Sequence, residues 1–330
     1  MSFTRPVLVT GATGFIGRRL VARLLTEGAR VRALVLEGDP GEAHLPRGSV
    51  EIVRGSVTDR SSVDRATEGV EAVFHLAAVV GDWAPEELFR SVTIEGTRNV
   101  LSAAAEAKAR AVLASSIVVY GDAIGRAVCS EDHPFGEPVG AYSRSKQEQE
   151  RIALDLGRRA GLAVTMLRLA NVFGPGSRPW VEMAIEQLKS GAPALIGRGD
   201  QNAGLCYVDN AAEAFVRAAL TPSSAGRAYN VSDASDITWR RYFEDLARAS
   251  GSRPPASLPL PLATIAARAC ERAWSALKLK GRPPVTREAL NLVGSHHRIP
   301  IDRARRELGF EPKVGYEEGM ARVKESLQAP

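Results

Sequence analysis

The chain has 330 residues, 45% of them hydrophobic and 25% charged, enough for a sizeable core and for about two domains or one large α/β unit with an added lobe. Its net charge of +5 comes from scattered arginines, many beside acids as in Asp302-Arg303-Ala304-Arg305-Arg306-Glu307, which reads as a solvated surface and not as a nucleic-acid footprint. Three widely spaced cysteines (Cys129, Cys206, Cys270), a strand-like run by Pro6 and no apolar run of membrane-span length argue against a disulfide framework, a signal peptide and a membrane span, and make the cytoplasm the expected location.

Short apolar runs alternate with longer amphipathic stretches through the first half. Strands are expected at 7–10, 31–36, 50–53, 72–76, 111–116 and 163–169, and helices at 15–27, 61–67, 93–108 and 142–160. β-Branched runs separated by helices predict a parallel sheet covered on both faces, an α/β Rossmann-type doubly wound fold. After residue 171 Gly, Pro and Arg punctuate shorter pieces. A dinucleotide-binding domain over 1–171 is therefore expected to carry a smaller, discontinuous substrate lobe over 172–330, with some segments returning to the sheet.

The first strand runs into Thr10-Gly11-Ala12-Thr13-Gly14-Phe15-Ile16-Gly17, followed by a helix with Leu20, Leu24 and Leu25. Glycines at these spacings suit a tight turn, close approach to a pyrophosphate and close helix–strand packing, and the helix N-terminus offers N–H groups to the phosphates. At the end of the second strand an acid would bind the adenosine ribose, whereas an arginine would accept a 2′-phosphate. Leu36 and Glu37 stand there with no arginine close behind, which points to NAD, with NADP possible. Further on, Ala141-Tyr142-Ser143-Arg144-Ser145-Lys146-Gln147 places a phenol and an ammonium on one helical face, where the charge would favour the phenolate. A surface pair has the same spacing, so the wider pattern must separate the two readings.

That pattern resembles the extended short-chain dehydrogenase/reductase superfamily, also called the NAD-dependent epimerase/dehydratase group. The matching segments are TGATGFIG at 10–17, FHLAA at 74–78, SSIVVYG at 115–121, YSRSK at 142–146, LRLANVFGPG at 167–176 and YVDNAAEA at 207–214, in the family's order. The resemblance implies Tyr142 as acid/base, Lys146 as its partner and ribose ligand, and Ser116 as the hydroxyl on the substrate oxygen, with Ser115 as the alternative. It also implies cofactor contacts from Gly11, Thr13, Gly14, Phe15, Ile16 and Gly17, from Leu36 and Glu37, and from Ser56 and Val57. Leu76, Ala77, Ala78, Leu169, Asn171 and Val172 complete the set, Asn171 being equally suited to capping a turn. Two positions depart from the pattern: Ser56 replaces an aspartate common against adenine, and Thr93 replaces a usual asparagine. His75 reads as structural. The adjacent His296 and His297 diverge on regular structure and lack a carboxylate partner, so no metal site is expected.

Dehydratases of this group carry an Asp-Glu pair where this chain has Ile117 and Val118, which cannot move protons. Epimerases commonly place an arginine ahead of the YVD-like strand and an Arg-Pro-Gly-Asp near the C-terminus. Here the corresponding stretches read Asp200-Gln201-Asn202-Ala203-Gly204-Leu205-Cys206-Tyr207 and Gly294-Ser295-His296-His297-Arg298. The C-terminal third resembles 3β-hydroxysteroid dehydrogenase-like and dihydroflavonol-reductase-like members, through Leu258-Pro259-Leu260-Pro261-Leu262 and the helix after it. The expected function is NAD(P)-dependent interconversion of a secondary alcohol and a ketone on a fairly apolar small molecule. A sugar-nucleotide epimerase and a catalytically silent dinucleotide-binding sensor or scaffold are the alternatives. The helix after residue 260 is open to closing the pocket, resting on a membrane surface or packing on the main domain; membrane contact is not required. A homodimer is expected through the helices at 93–108 and 142–160, whose apolar residues include Val100, Leu101, Ile152 and Leu156.

Overall fold

In the computed structural model, which describes residues 3–328, the apolar runs become strands β1 (Val7–Thr10), β2 (Val31–Val35), β3 (Val50–Arg54), β4 (Ala72–His75), β5 (Arg110–Ser116) and β6 (Val164–Leu169). Each lies within one residue of its expected ends, because strands buried on both faces must be apolar along their length. Between them run α1 (Phe15–Thr26), α2 (Arg60–Thr67), the single turn α3 (Glu86–Leu88), α4 (Gly96–Glu106) and α5 (Ala141–Ala160). The helix expected at 93–108 differs. Phe89–Glu95 forms a wider π-type turn before α4, and the stretch ends as Lys108 turns left-handed at φ 53°.

The rest of the chain supplies β7 (Asn171–Phe173), α6 (Met183–Ser190), β8 (Pro193–Ile196), β9 (Leu205–Tyr207), α7 (Val208–Leu220), β10 (Ala228–Val231), α8 (Trp239–Ser250), β11 (Ala256–Leu258), α9 (Leu260–Ala276), α10 (Arg287–Val293) and α11 (Tyr316–Gln328). The central sheet has seven parallel strands in the order β10-β6-β5-β4-β1-β2-β3. Two-stranded parallel pairs β7–β9 and β8–β11 lie outside it. Side chains alternate across β1: Val7 and Val9 join a core with Leu20 of α1 and Phe215 of α7, whereas Leu8 joins one with Val63, Val100 and Ile152 of α2, α4 and α5. The sheet is thus sandwiched between two helix layers. Strand order reverses between β1 and β4, which opens the crevice where ligands of such sheets bind.

Val100, Leu101 and Ile152 are buried within the subunit, so they are not free to form a dimer seam. Helix α9 rests on the protein through Ala263 and Ala267, leaving Leu260, Leu262 and Ile265 outward and exposed. No described helix is long and apolar enough to cross a membrane.

Candidate active site

The turn from β1 to α1 lies in the crevice. Gly11 has φ 70°, and a Cβ there would stand 2.8 Å from the backbone nitrogen of Ala77, so the turn presses directly on the chain leaving β4. A Cβ on Gly17 would come within 2.0 Å of the Gly11 carbonyl oxygen, fixing how closely α1 approaches the turn. Gly14 differs: a Cβ there would meet only the Gly11 carbonyl, at 3.3 Å. Gly14 caps α1 without a side-chain acceptor, and no acid occupies the first turn. The N–H groups of Phe15, Ile16 and Gly17 thus stand at a positive helix end with open space before them, which fits a dinucleotide pyrophosphate.

Around this turn Thr13 donates to Asp39 at 2.8 Å, and Asp39 also caps the short turn Pro40–His44. Leu36 and Glu37 are exposed beyond the end of β2. Pairing of β2 with β3 sets Arg54 opposite Val35, near Glu37 and Asp39, where its guanidinium forks onto Glu42 (Nη2–Oε1 2.8 Å). No arginine closely follows Glu37 along the chain; Arg54 arrives through strand register. Ser56 bonds Thr58 in the turn after β3, and the Val57 carbonyl accepts from Asn99 of α4. Leu76 and Ala77 donate backbone N–H groups to the backbone and hydroxyl oxygens of Thr10, which places Ala77 and Ala78 beside the glycine turn. Thr93, buried, accepts from the Val79 N–H.

Helix α5 and the end of β5 bring the three chemistry-bearing side chains together. Ser116 caps the turn after β5 and stands at the Tyr142 phenol, whereas Ser115 is turned away to donate to buried Glu150. Burial and the Glu288 charge raise the Tyr142 phenol above its ordinary value, and the Ser116 hydroxyl works against them. Lys146 is buried, with Nζ donating to the Ala114 carbonyl and to Gln149 Oε1, both at 2.8 Å. Nζ lies 5.9 Å from the centroid of the Tyr142 ring. Burial pulls the ammonium down to about 7, against the opposing pull of Glu150. Two of its three donors are engaged, leaving one available. Leu169, Asn171 and Val172 are buried where β6 gives way to β7; the Asn171 amide donates to the Ala203 carbonyl at 2.7 Å, which pins the strand.

Sequence reasoning missed the roof of this site. Glu288, at the start of α10, accepts from the Ser143 N–H at 2.7 Å, while its Oε2 is buried without a partner. It caps α5 from 145 residues away, since Gly140 at the helix start offers no side chain. Burial pushes its carboxyl up to about 7. Arg282 grips Asp82 with both arms, at 2.6 and 2.5 Å, and Thr286 also donates to Asp82. A cleft of about 330 Å³ lies between these segments, lined by Asp82, Trp83, Val139, Gly140, Arg144 and Glu288. Elsewhere, His296 Nδ1 accepts from the Asn202 N–H and buried His297 bonds the Leu292 carbonyl, so the two rings serve the backbone. Among the described residues no three His, Cys, Asp or Glu side chains gather as a metal site.

A parallel doubly wound sheet with a glycine turn at its switch point, and with Ser116, Tyr142 and Lys146 gathered at the end of β5, has the architecture of a dinucleotide-dependent oxidoreductase. Residues 7–232 match the model of the NAD dependent epimerase/dehydratase family, and the chain belongs to that family. It is an NAD-dependent enzyme of the extended short-chain dehydrogenase/reductase type. The chain is 32% identical to a 2-alkyl-3-oxoalkanoate reductase of Stenotrophomonas maltophilia, over 98% of this chain and 99% of that protein. It is 28% identical to a 3-beta-hydroxysteroid dehydrogenase of Mycolicibacterium neoaurum, over 96% and 89% of the two chains. Among solved structures, MoeE5 in complex with UDP-glucose and NAD superposes with a TM-score of 0.76 and 28% identity, covering 98% of both chains.

Proposed function

We propose that this enzyme interconverts a secondary alcohol and a ketone on a largely apolar small molecule, with Tyr142 as acid/base, Lys146 as its electrostatic partner and Ser116 as the second hydrogen-bond donor. One observation carries the reading: Ser116 stands at the Tyr142 phenol and is followed by buried Ile117 and Val118, so the two positions that hold an Asp-Glu pair in dehydratases of this group supply no acid or base for elimination. When bound, the nicotinamide gives or takes a hydride. In reduction, Ser116 and Tyr142 donate to the carbonyl oxygen, and Tyr142 passes its proton to the oxygen as negative charge develops there. In oxidation the phenolate removes the hydroxyl proton. The Lys146 ammonium favours that phenolate against the burial that opposes it, and its free donor is assigned to the nicotinamide ribose.

The glycine turn, Leu36, Glu37, Ser56, Val57, Leu76, Ala77, Ala78, Leu169, Asn171 and Val172 belong to the same proposal as the cofactor wall. The reductase and dehydrogenase names of the relatives support a ketone or alcohol substrate. The likeness to MoeE5, whose structure holds UDP-glucose and NAD, favours a sugar-nucleotide substrate and with it the epimerase alternative. Against it, Asn202 bonds Ser235 and Gly204 within the chain and supplies no cation to a diphosphate. A cytoplasmic location fits the three unpaired cysteines, and a homodimer remains proposed through the outer faces of α4 and α5, where Leu154 is 36% exposed.

The test is incubation of a 2-alkyl-3-oxoalkanoate and a 3-ketosteroid with NADH, and of UDP-glucose with NAD⁺. Stoichiometric NADH loss with one of the ketones is expected. Epimerisation of UDP-glucose with NAD⁺ and without net NADH formation would replace this reading with the alternative.

A further inference from the structure

Five side chains form a buried hydrogen-bonded chain from the end of β1 to Lys146. Thr10 Oγ1 lies 2.7 Å from His75 Nδ1, His75 Nε2 lies 3.0 Å from Thr97 Oγ1, the Gln149 amide meets Thr97 Oγ1, and Lys146 Nζ meets Gln149 Oε1 at 2.8 Å. Every member is at most 3% exposed. Its polarity follows from one fact: a charged lysine has donors and no acceptor. The Gln149 atom facing Lys146 must then be oxygen, so its NH₂ donates to Thr97. The Thr97 proton goes to the Thr93 carbonyl at 2.6 Å, leaving the Thr97 oxygen to accept. His75, which burial holds neutral with its pKa lowered to about 3, therefore donates from Nε2 and accepts at Nδ1 from the Thr10 hydroxyl. Thr10 in turn accepts from the Ala77 N–H, beside the glycine turn. The opposite His75 tautomer would leave the Thr10 proton without an acceptor among the described residues.

We propose that Gln149 is a positioning residue for Lys146, and that the Thr10–His75–Thr97 chain behind it fixes the Gln149 amide so that its oxygen supports the ammonium in a dry site. The amide oxygen and the Ala114 carbonyl hold two N–H groups and leave the third for the ribose, with the charge still close to the phenol. The chain also anchors the lysine to the strand end from which the glycine turn starts, so both parts of the site share one frame. Gln149 lies three residues after Lys146, on the same face of α5. The charges near Nζ are few: Glu150 favours the ammonium, and His75 is neutral.

The inference rests on the role given to Lys146, but its test reads the network without reading the reaction. Cofactor-free protein labelled at lysine ¹³Cε is titrated by NMR, with the Lys146 signal assigned by its absence from Lys146→Met. Relative to wild type, Gln149→Met is expected to lower the Lys146 midpoint by roughly one pH unit, and Gln149→Glu to raise it by at least as much. A purely structural role would not move the two variants in opposite directions. In wild-type protein labelled at histidine ¹⁵N, the His75 ring, assigned by its absence from His75→Gln, should show the Nε2–H tautomer. A Lys146 midpoint unchanged in both Gln149 variants, shifts of one sign, or the Nδ1–H tautomer would each overturn the proposal. Loss of turnover in Tyr142→Phe concerns the reaction and leaves this network untouched.

Discussion

Two sets of buried polar groups meet at α5, about two turns apart, and they differ in how completely the chain satisfies them. At Glu150 nothing is left over: Ser115 and Arg168 donate to its oxygens, and the remaining nitrogen of Arg168 reaches Tyr120 and the Glu131 carbonyl. Around Tyr142 the opposite holds. Lys146 keeps one donor free, and Glu288 Oε2 has no partner. Both sets are desolvated, so burial alone does not distinguish structural charge from chemical charge. Between these two sets the unfilled hydrogen-bonding positions make the difference, because an unpaired buried polar group carries a cost that something else must offset.

The sharpest break in this contrast comes from Glu150→Leu. It strands the Arg168 guanidinium in the core and should lower unfolding free energy by about 3–5 kcal/mol in urea titrations. Adding Arg168→Met should recover much of that loss, because the pair is then removed together. Failure of the double variant to recover would mean the pair has a role beyond filling its own site.

Glu288 should behave differently with pH. Its folded pKa of about 7 lies above the ordinary 4.5, so the native state holds the proton more tightly than the unfolded chain. The protonated form is the favoured one: wild type should lose up to about 3 kcal/mol from this group as pH rises from about 4.5 to 7. Glu288→Gln should not, so its stability relative to wild type should climb across that window. Parallel stability curves for the two proteins would refute the assignment.

Gly14→Val probes the open end of α1. Its backbone is extended at φ −73° and a Cβ meets one atom, the Gly11 carbonyl oxygen at 3.3 Å, so the fold should survive a small local shift at a cost of about 1–2 kcal/mol. Calorimetry should nevertheless show NADH affinity reduced by at least about 100-fold, as the added bulk fills the pyrophosphate space. Glu42→Ala is the mildest test. Freeing Arg54 beside the end of β2 should tighten NADPH by about threefold, the scale of an exposed ion pair, and leave NADH nearly unchanged.

What the sequence made legible follows from the range of each interaction. The strands, the glycine turn and the Tyr142–Lys146 spacing are local patterns, with meaning fixed by β-branching, backbone sterics and helical periodicity. The sequence favours Ser116 with Ser115 as the alternative; the alternation of the strand sends Ser115 to Glu150, which supports the proposal made for Ser116. Arg54, Gln149 and Glu288 were not legible as site residues. Arg54 reaches its neighbours through strand register, Gln149 through a chain of partners on β1, β4 and α4, and Glu288 across 145 residues. Asn171 shows the reverse: its amide is occupied by Ala203, in keeping with the structural reading that the sequence left open beside the cofactor one.

The central claim is that the unfilled positions around Tyr142 serve proton transfer. Tyr142→Phe removes one oxygen and barely alters packing against Phe89, so NADH affinity and stability should stay close to wild type. The decisive measurement is its steady-state turnover on whichever ketone of the NADH panel the wild type reduces. A fall of roughly 10²–10⁴ with cofactor affinity intact is the predicted result. Full turnover by Tyr142→Phe would contradict the account.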